Sequence, residues 1–239
     1  MKNHAIQNNF PSLNYIINNW PRTKPLLKKL FLSNHKLPDL YKVCEICLKE
    51  LGVVKIKNYR KSLRKLTKIC QKNQTYNTFH DSHHFKAVII LSCIIAKKIK
   101  LTQREKLLMI LIALSHDIEH QGRRIISRSY YQEEKSCRVF LQACYGMHLS
   151  NSEVKRISNI FKSTYFPLKP VNVNDLLEKI ILDADILASI MFDLDTGLKL
   201  ASRLRHELKL DSSKESLYKS FLEYLTDKSL FMDSSKNLC

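Results

Sequence analysis

The chain has 239 residues, 44% hydrophobic and 9% aromatic, enough to bury one sizeable core or one domain with an appendage. Four glycines and six prolines are too few for the closely spaced turns of a strand-rich architecture, so a mostly helical fold is expected. The net charge of +18 excludes an acidic chain and points to anionic partners, and residues 1–75, with 13 Lys, 3 Arg and 3 acidic residues, hold +13 of it.

In chain order, residues 1–11 read as an irregular polar segment that opens no apolar leader-like run. Short helices are expected over 12–19 and 24–32, punctuated by Pro21, Pro25 and Pro38, and an amphipathic helix over 39–51 stopped by Gly52. That helix carries Cys44-x-x-Cys47. With no second Cys pair or nearby Cys/His at zinc-finger spacing, the two read as buried thiols. The seven cysteines, at 44, 47, 70, 93, 137, 144 and 239, are odd in number and share no spacing, which fits a reducing compartment and a cytoplasmic-type protein.

Residues 55–72 contain eight basic residues and no acidic one: Lys55, Lys57, Arg60, Lys61, Arg64, Lys65, Lys68 and Lys72. On a helix from about residue 58, Leu63, Leu66 and Ile69 form an apolar stripe and the cations cover the rest. Such a face suits nucleic acid, an anionic membrane or an acidic partner, steers an anionic substrate, or is simply solvated. Its one aromatic residue, Tyr59, stands near the start, so no aromatic pattern interleaves with the cations along the stretch.

A polar hinge is expected over 71–77, then a helix over 82–99, where length outweighs an isoleucine content that also suits a buried strand. The apolar runs 87–96 and 107–114 are core; both fall short of the roughly 20 residues that span a bilayer. Four capping boxes, Thr102-x-x-Glu105, Ser129-x-x-Gln132, Ser150-x-x-Glu153 and Ser212-x-x-Glu215, predict helix starts near 102, 129, 150 and 212. A further helix is predicted from about Asn174, after the loop marked by Pro167 and Pro170, with Leu176, Leu177, Ile180 and Ile181 inward. Residues 228–239 are expected to fray.

Five of the nine histidines lie between 80 and 120. His80 and His84 are four apart, as are His116 and His120, so each pair shares a face if the local structure is helical. Imidazoles and carboxylates converging on one point suit a divalent cation, and Asp117, at the end of an apolar run, needs a partner or a metal if buried. A packed histidine is the plain alternative for either pair taken alone.

Phe79-His80-Asp81-Ser82-His83-His84-Phe85-Lys86-Ala87-Val88, then His116-Asp117-Ile118-Glu119-His120-Gln121-Gly122-Arg123-Arg124-Ile125, resemble the HD-domain superfamily of metal-dependent phosphohydrolases. They are most similar to the branch holding the class I cyclic-nucleotide phosphodiesterases, which reads Y-H-N-x-x-H-A-x-x-V and H-D-x-x-H-x-G-x-x-N. Phe replaces Tyr, Asp81 replaces Asn, Phe85 replaces Ala and Ile125 stands at the last Asn. Ala184-Asp185-Ile186 resembles the later A-D-I segment, and residues 132–136 resemble an N-E-E-x-S segment of small bacterial relatives.

The resemblance implies an all-α, HD-like helical bundle over 76–227, preceded by a basic helical extension, 1–75. It implies His84, His116, Asp117 and Asp185 as ligands of one or two divalent ions (Mn, Fe, Zn or Mg), with Asp117 bridging two of them, and hydrolysis by metal-activated water. His80 would protonate the leaving oxygen, and His120, the other candidate catalytic histidine, would sit behind the metal ligands or beside the second metal's waters. Glu133 or Glu134 would orient a water or a ligand imidazole, and Arg123 and Arg124 are candidates for phosphate contact. Asp183, about 200° around the helix from Asp185, is expected to be a cap, a partner or a solvent group.

Only 54 residues follow Asp185 and none is Gln, so the Gln-and-Phe purine clamp of the class I enzymes is expected to be missing or built differently. The implied substrate is an anionic phosphoester, nucleotide or cyclic nucleotide. Alternatives are a non-catalytic HD module that binds nucleotide or metal to regulate a partner, and a basic helical protein that binds nucleic acid or membrane.

Overall fold

A computed structural model describes residues 11–32, 39–54, 56, 58–73, 77–120, 128–165, 173–227 and 230–238. Among them are twelve α-helices and no strand: α1 Leu13–Asn18, α2 Lys24–Leu32, α3 Leu40–Glu50, α4 Tyr59–Asn73, α5 Ser82–Ala96, α6 Gln103–Ser115, α7 Tyr131–Ala143, α8 Asn151–Ser163, α9 Leu176–Ile190, α10 Leu194–Leu208, α11 Lys214–Asp227 and α12 Asp233–Lys236. A single 3₁₀ turn, Tyr145–Met147, links α7 to α8. No described helix is long and apolar enough to cross a membrane.

Two helices organise the bundle. Every residue of α5 from His84 to Ala96 is buried, as is α6 from Leu107 to Ser115. Helices without a polar face must be surrounded, and α3, α6 and α9 pack around α5 while α4, α7 and α9 pack around α6. Six residues join α5 to α6, so they run antiparallel and the start of α5 lies beside the end of α6. The histidine-rich segments sit at those two ends.

The local signals explain most boundaries. Thr102 and Ser150 form complete capping boxes with Glu105 and Glu153, and Asp39 and Asp175 cap α3 and α9. Gly52, at φ 73°, ends α3, with Val53 N–H donating to Leu48 O. Two expected boxes are absent. Tyr130, at φ 61° with no side-chain cap, precedes α7 in place of Ser129. At α11 it is Ser213 Oγ, not Ser212, that accepts from the Ser216 N–H.

Residue 75 is no break in the core, because Leu13, Ile16, Leu27, Val43, Leu63 and Leu66 join the same apolar cluster as α5, α6 and α9. Residues 230–238 do not fray: Leu230 and Leu238 are buried, and Asp183 accepts from the Phe231 and Met232 N–H groups at 2.9 and 2.8 Å. That buried carboxylate, raised by burial, is the partner role expected for Asp183. Cys44, Cys47, Cys70 and Cys93 are all buried free thiols inside helices. A second, smaller core joins Phe79 to Ala201, Leu204, Leu217 and Tyr218. Here Gly197 meets Tyr218 so closely that a Cβ would lie 2.2 Å from its ring, which seats α10 on α11.

Candidate metal centre

The end of α6, the start of α5 and the middle of α9 bring His84, His116, Asp117 and Asp185 together, one ligand atom of each within 4.8 Å of all the others. His116 Nε2 lies 3.0 Å from Asp117 Oδ2 and 3.6 Å from Asp185 Oδ1. His84 Nε2 lies 3.4 Å from Asp117 Oδ2, 3.3 Å from Asp185 Oδ1 and 3.4 Å from His116 Nε2. Ligands about 2.1 Å from one ion are about 3.0 Å apart at right angles and about 3.4 Å apart at the tetrahedral angle. The donor spacings are therefore close to those around one divalent cation. His116 is also oriented for it: Nδ1 meets the Ala113 carbonyl at 3.0 Å, which leaves Nε2 to face the cluster.

The charges are mutually dependent. Burial opposes the His116 imidazolium, yet Asp117 and Asp185 outweigh it and hold the pKa well above the ordinary histidine value. Burial likewise raises Asp117, but His116, His80 and His84 pull its carboxyl well below the usual range.

The histidine pairs do not follow helical spacing. α6 ends at Ser115, and His116–His120 form a turn beyond it; His80 precedes Asp81, the N-cap of α5, so neither pair shares a helix. The turn splits the second pair: His116 joins the metal-type quartet, while His120 stacks on His80 with centroids 3.7 Å apart. Asp81 is explained by its cap, accepting from the His83 and His84 N–H groups, a task that Asn or Asp performs equally.

His80, His120 and Glu207 form a second cluster. Glu207 Oε1 is 2.5 Å from His80 Nδ1 and 3.5 Å from His120 Nδ1, and Oε2 accepts from the Phe79 and His80 N–H groups at 2.6 and 3.0 Å. His80 Nε2 faces the quartet, 3.6 Å from Asp117 Oδ2. Burial first, then the stacked His120, push the His80 pKa down against the pull of Asp117 and Glu207. His120 is raised, the carboxylates of Glu207 and Asp117 outweighing burial. Two stacked imidazoles cannot both be charged cheaply, so a charge on one ring disfavours a charge on the other. Glu207 itself is held well below the carboxylate range, its histidine and backbone donors overcoming burial.

Glu133 lies buried on the first turn of α7, pushed up to about 7 mainly by burial and also by Asp117, with Oε2 unpartnered among the described residues. Glu134 turns outward to Arg128 at 2.7 Å and Lys162 at 3.7 Å, so of the two it is Glu133 that is buried. Arg123, Arg124 and Ile125 lie outside the described residues.

Sequence reasoning missed two contributors. Glu207 occupies the apolar stripe of α10 with Ala201 and Leu204, and a carboxylate at a stripe position was the available signal. Asn77, read as hinge, donates to the His80 and His120 carbonyls at 3.3 and 3.0 Å and ties the two turns together.

The chain matches no family model, and no curated protein matches its sequence. Its fold is similar to that of a solved structure, the phosphodiesterase domain of the RhoPDE fusion protein from the choanoflagellate Salpingoeca rosetta, with TM-score 0.56 and 20% identity over 85% of this chain and 80% of that one. The likeness is one of fold, an all-helical bundle similar to that domain. The buried His/Asp groups it surrounds fit a metal site.

Proposed function

We propose that the chain is a metal-dependent phosphohydrolase acting on a phosphoester, with a nucleotide or cyclic-nucleotide phosphodiester as the substrate class. The observation that carries this is the convergence of His84, His116, Asp117 and Asp185. These four would hold a divalent cation, manganese, iron, zinc or magnesium, with positions left open for oxygen donors. When bound, such an ion lowers the pKa of water and neutralises charge on phosphoryl oxygens.

The other residues handle the proton. Hydrolysis adds hydroxide to phosphorus and breaks a P–O bond, and the departing oxygen takes a proton. His80 is placed to give it, since Nδ1 is fixed by Glu207 and Nε2 faces the quartet. Glu207 sets the tautomer and orientation of His80, and His120 shares the charge. Glu133, at about 7, is suited to hold a proton or a water near Asp117. The inward-facing Nε2 of His80 favours this reading over a non-catalytic module. The cyclic-nucleotide specificity, the roles of Arg123 and Arg124, and a second ion bridged by Asp117 belong to the same proposal.

The test is elemental analysis beside an Asp117→Ala control, with release of p-nitrophenol from bis-p-nitrophenyl phosphate. Near-stoichiometric metal and turnover, both lost in the control, are expected. An active, metal-loaded Asp117→Ala protein would refute the assignment.

A further inference from the structure

At the far end of α5 from the histidines, about 22 Å along a 15-residue helix, lies a groove of about 1590 Å³. Its walls come from α3, the segment leading into α4, the start of α4, and the turn after α7. Six cations line it, Lys42, Lys49, Arg60, Lys61, Lys65 and Lys97, against two carboxylates, Glu45 and Glu50. Glu50 is already engaged by Lys97 at 3.6 Å. Lys42, Lys49, Arg60 and Lys61 make no ion pair with a described carboxylate. With Glu50 engaged and Glu45 the one other carboxylate in the lining, the concave surface carries a net positive charge.

Two further observations choose the occupant. Tyr145, 88% exposed, stands at the rim, and Tyr59 lines the groove. The fold brings Tyr145 from 80 positions beyond Lys65, which adds an exposed aromatic surface to the one tyrosine that the basic stretch itself carries. The positive surface continues beyond the groove: from Lys61 and Lys65 in its wall, Lys68 and Lys72 follow on the same face of α4, all four exposed and spaced by four, three and four. A cationic channel with an open aromatic rim matches a flexible polyphosphate that carries stackable bases. A bilayer is flat and would leave the groove walls unused.

We propose that this groove binds single-stranded nucleic acid without sequence preference, its phosphates on Arg60, Lys61 and Lys65 and a base on Tyr145. The proposal is independent of the phosphohydrolase reading, since the two surfaces lie at opposite ends of α5.

The test is fluorescence anisotropy with labelled oligothymidylate and oligouridylate of about 15 nucleotides, a length within the range such grooves cover. A duplex and co-sedimentation with phosphatidylserine vesicles serve as comparisons. Both single strands are expected to bind, with affinity falling as salt rises. Each lost phosphate contact removes about 0.7 from the slope of log K against log salt, so Arg60→Ala/Lys61→Ala/Lys65→Ala should shallow it by about 2. Tyr145→Ala should weaken single-strand binding about fivefold or more and leave duplex binding unmoved. Neither variant should change turnover of bis-p-nitrophenyl phosphate, and Lys219→Ala on α11 should change nothing. Absence of single-strand binding at low salt, binding indifferent to the triple variant, or capture by vesicles alone would each overturn the proposal. Indifference to Tyr145→Ala would overturn the stacking contact.

Discussion

Replacing Glu207 by Gln separates positioning from charge in the His80 cluster. One carboxylate oxygen accepts from two backbone N–H groups at 2.6 and 3.0 Å, and the other holds His80 Nδ1 at 2.5 Å. A Gln carbonyl can keep both backbone bonds, but each falls from charge-assisted to neutral, a loss of about 1 kcal/mol apiece. Its amide must then face His80 Nδ1, which becomes an acceptor, and the imidazolium loses its counter-charge. A stability loss of about 2–4 kcal/mol is expected, or about 4–16 °C in Tm for a chain of this size. The catalytic loss should depend on the leaving group. General acid catalysis contributes about 10²–10⁴-fold where an alkoxide departs. A p-nitrophenolate leaves with little need of a proton. Turnover of bis-p-nitrophenyl phosphate should therefore survive far better than turnover of an alkyl phosphodiester followed by phosphorus NMR. Equal losses on both substrates would show that Glu207 acts through structure alone, and no loss on either would remove His80 from the proposed chemistry.

Glu133 gives a pH signature in chelator-treated protein. A carboxyl whose pKa rises from 4.5 to about 7 on folding binds its proton more tightly in the native state, so stability falls as pH rises through that window. The cost above pH 7 is about 3 kcal/mol, and Glu133→Gln should flatten the profile of Tm against pH; an unchanged profile would refute the buried placement. Divalent manganese should raise the Tm of the wild-type chain and not of Asp117→Ala, and equal shifts in both would place the metal elsewhere. Asp183→Ala removes the acceptor for Phe231 and Met232 and should cost about 2–4 kcal/mol, with faster amide exchange over 230–238; protected amides there would refute the anchor. Ser150→Ala should cost about 1 kcal/mol by loss of the α8 cap, read from denaturant melts.

Local chemistry was legible wherever it is self-contained. The boxes at Thr102 and Ser150 satisfy their own backbone donors, so residue types three apart suffice to mark α6 and α8. Gly52 marks the end of α3 because the turn there needs a positive φ. Ser129 carries the same signature, yet the chain enters α7 through a left-handed Tyr130, where the packing of neighbouring elements overrides a cap worth about 1 kcal/mol. Similarly, i,i+4 spacing put His116 and His120 on one face, but the helix stops at Ser115 and the turn sends them to different clusters.

What the sequence by itself determined is the helical class, the two buried central helices and the candidate ligands, since periodicity, capping and ligand chemistry are properties of nearby residues. Which carboxylates reach the histidines is a different matter. Asp185, Glu133 and Glu207 come from 65, 13 and 87 positions beyond His120, and Glu134 differs from Glu133 only by about 100° of helix rotation. Only the packing of α7 and α9 against the α5–α6 pair, with α10 laid on α9, selects among them. That selection is tertiary because a buried carboxylate is stable only where donors from other elements meet it, and no local pattern records where those donors will be.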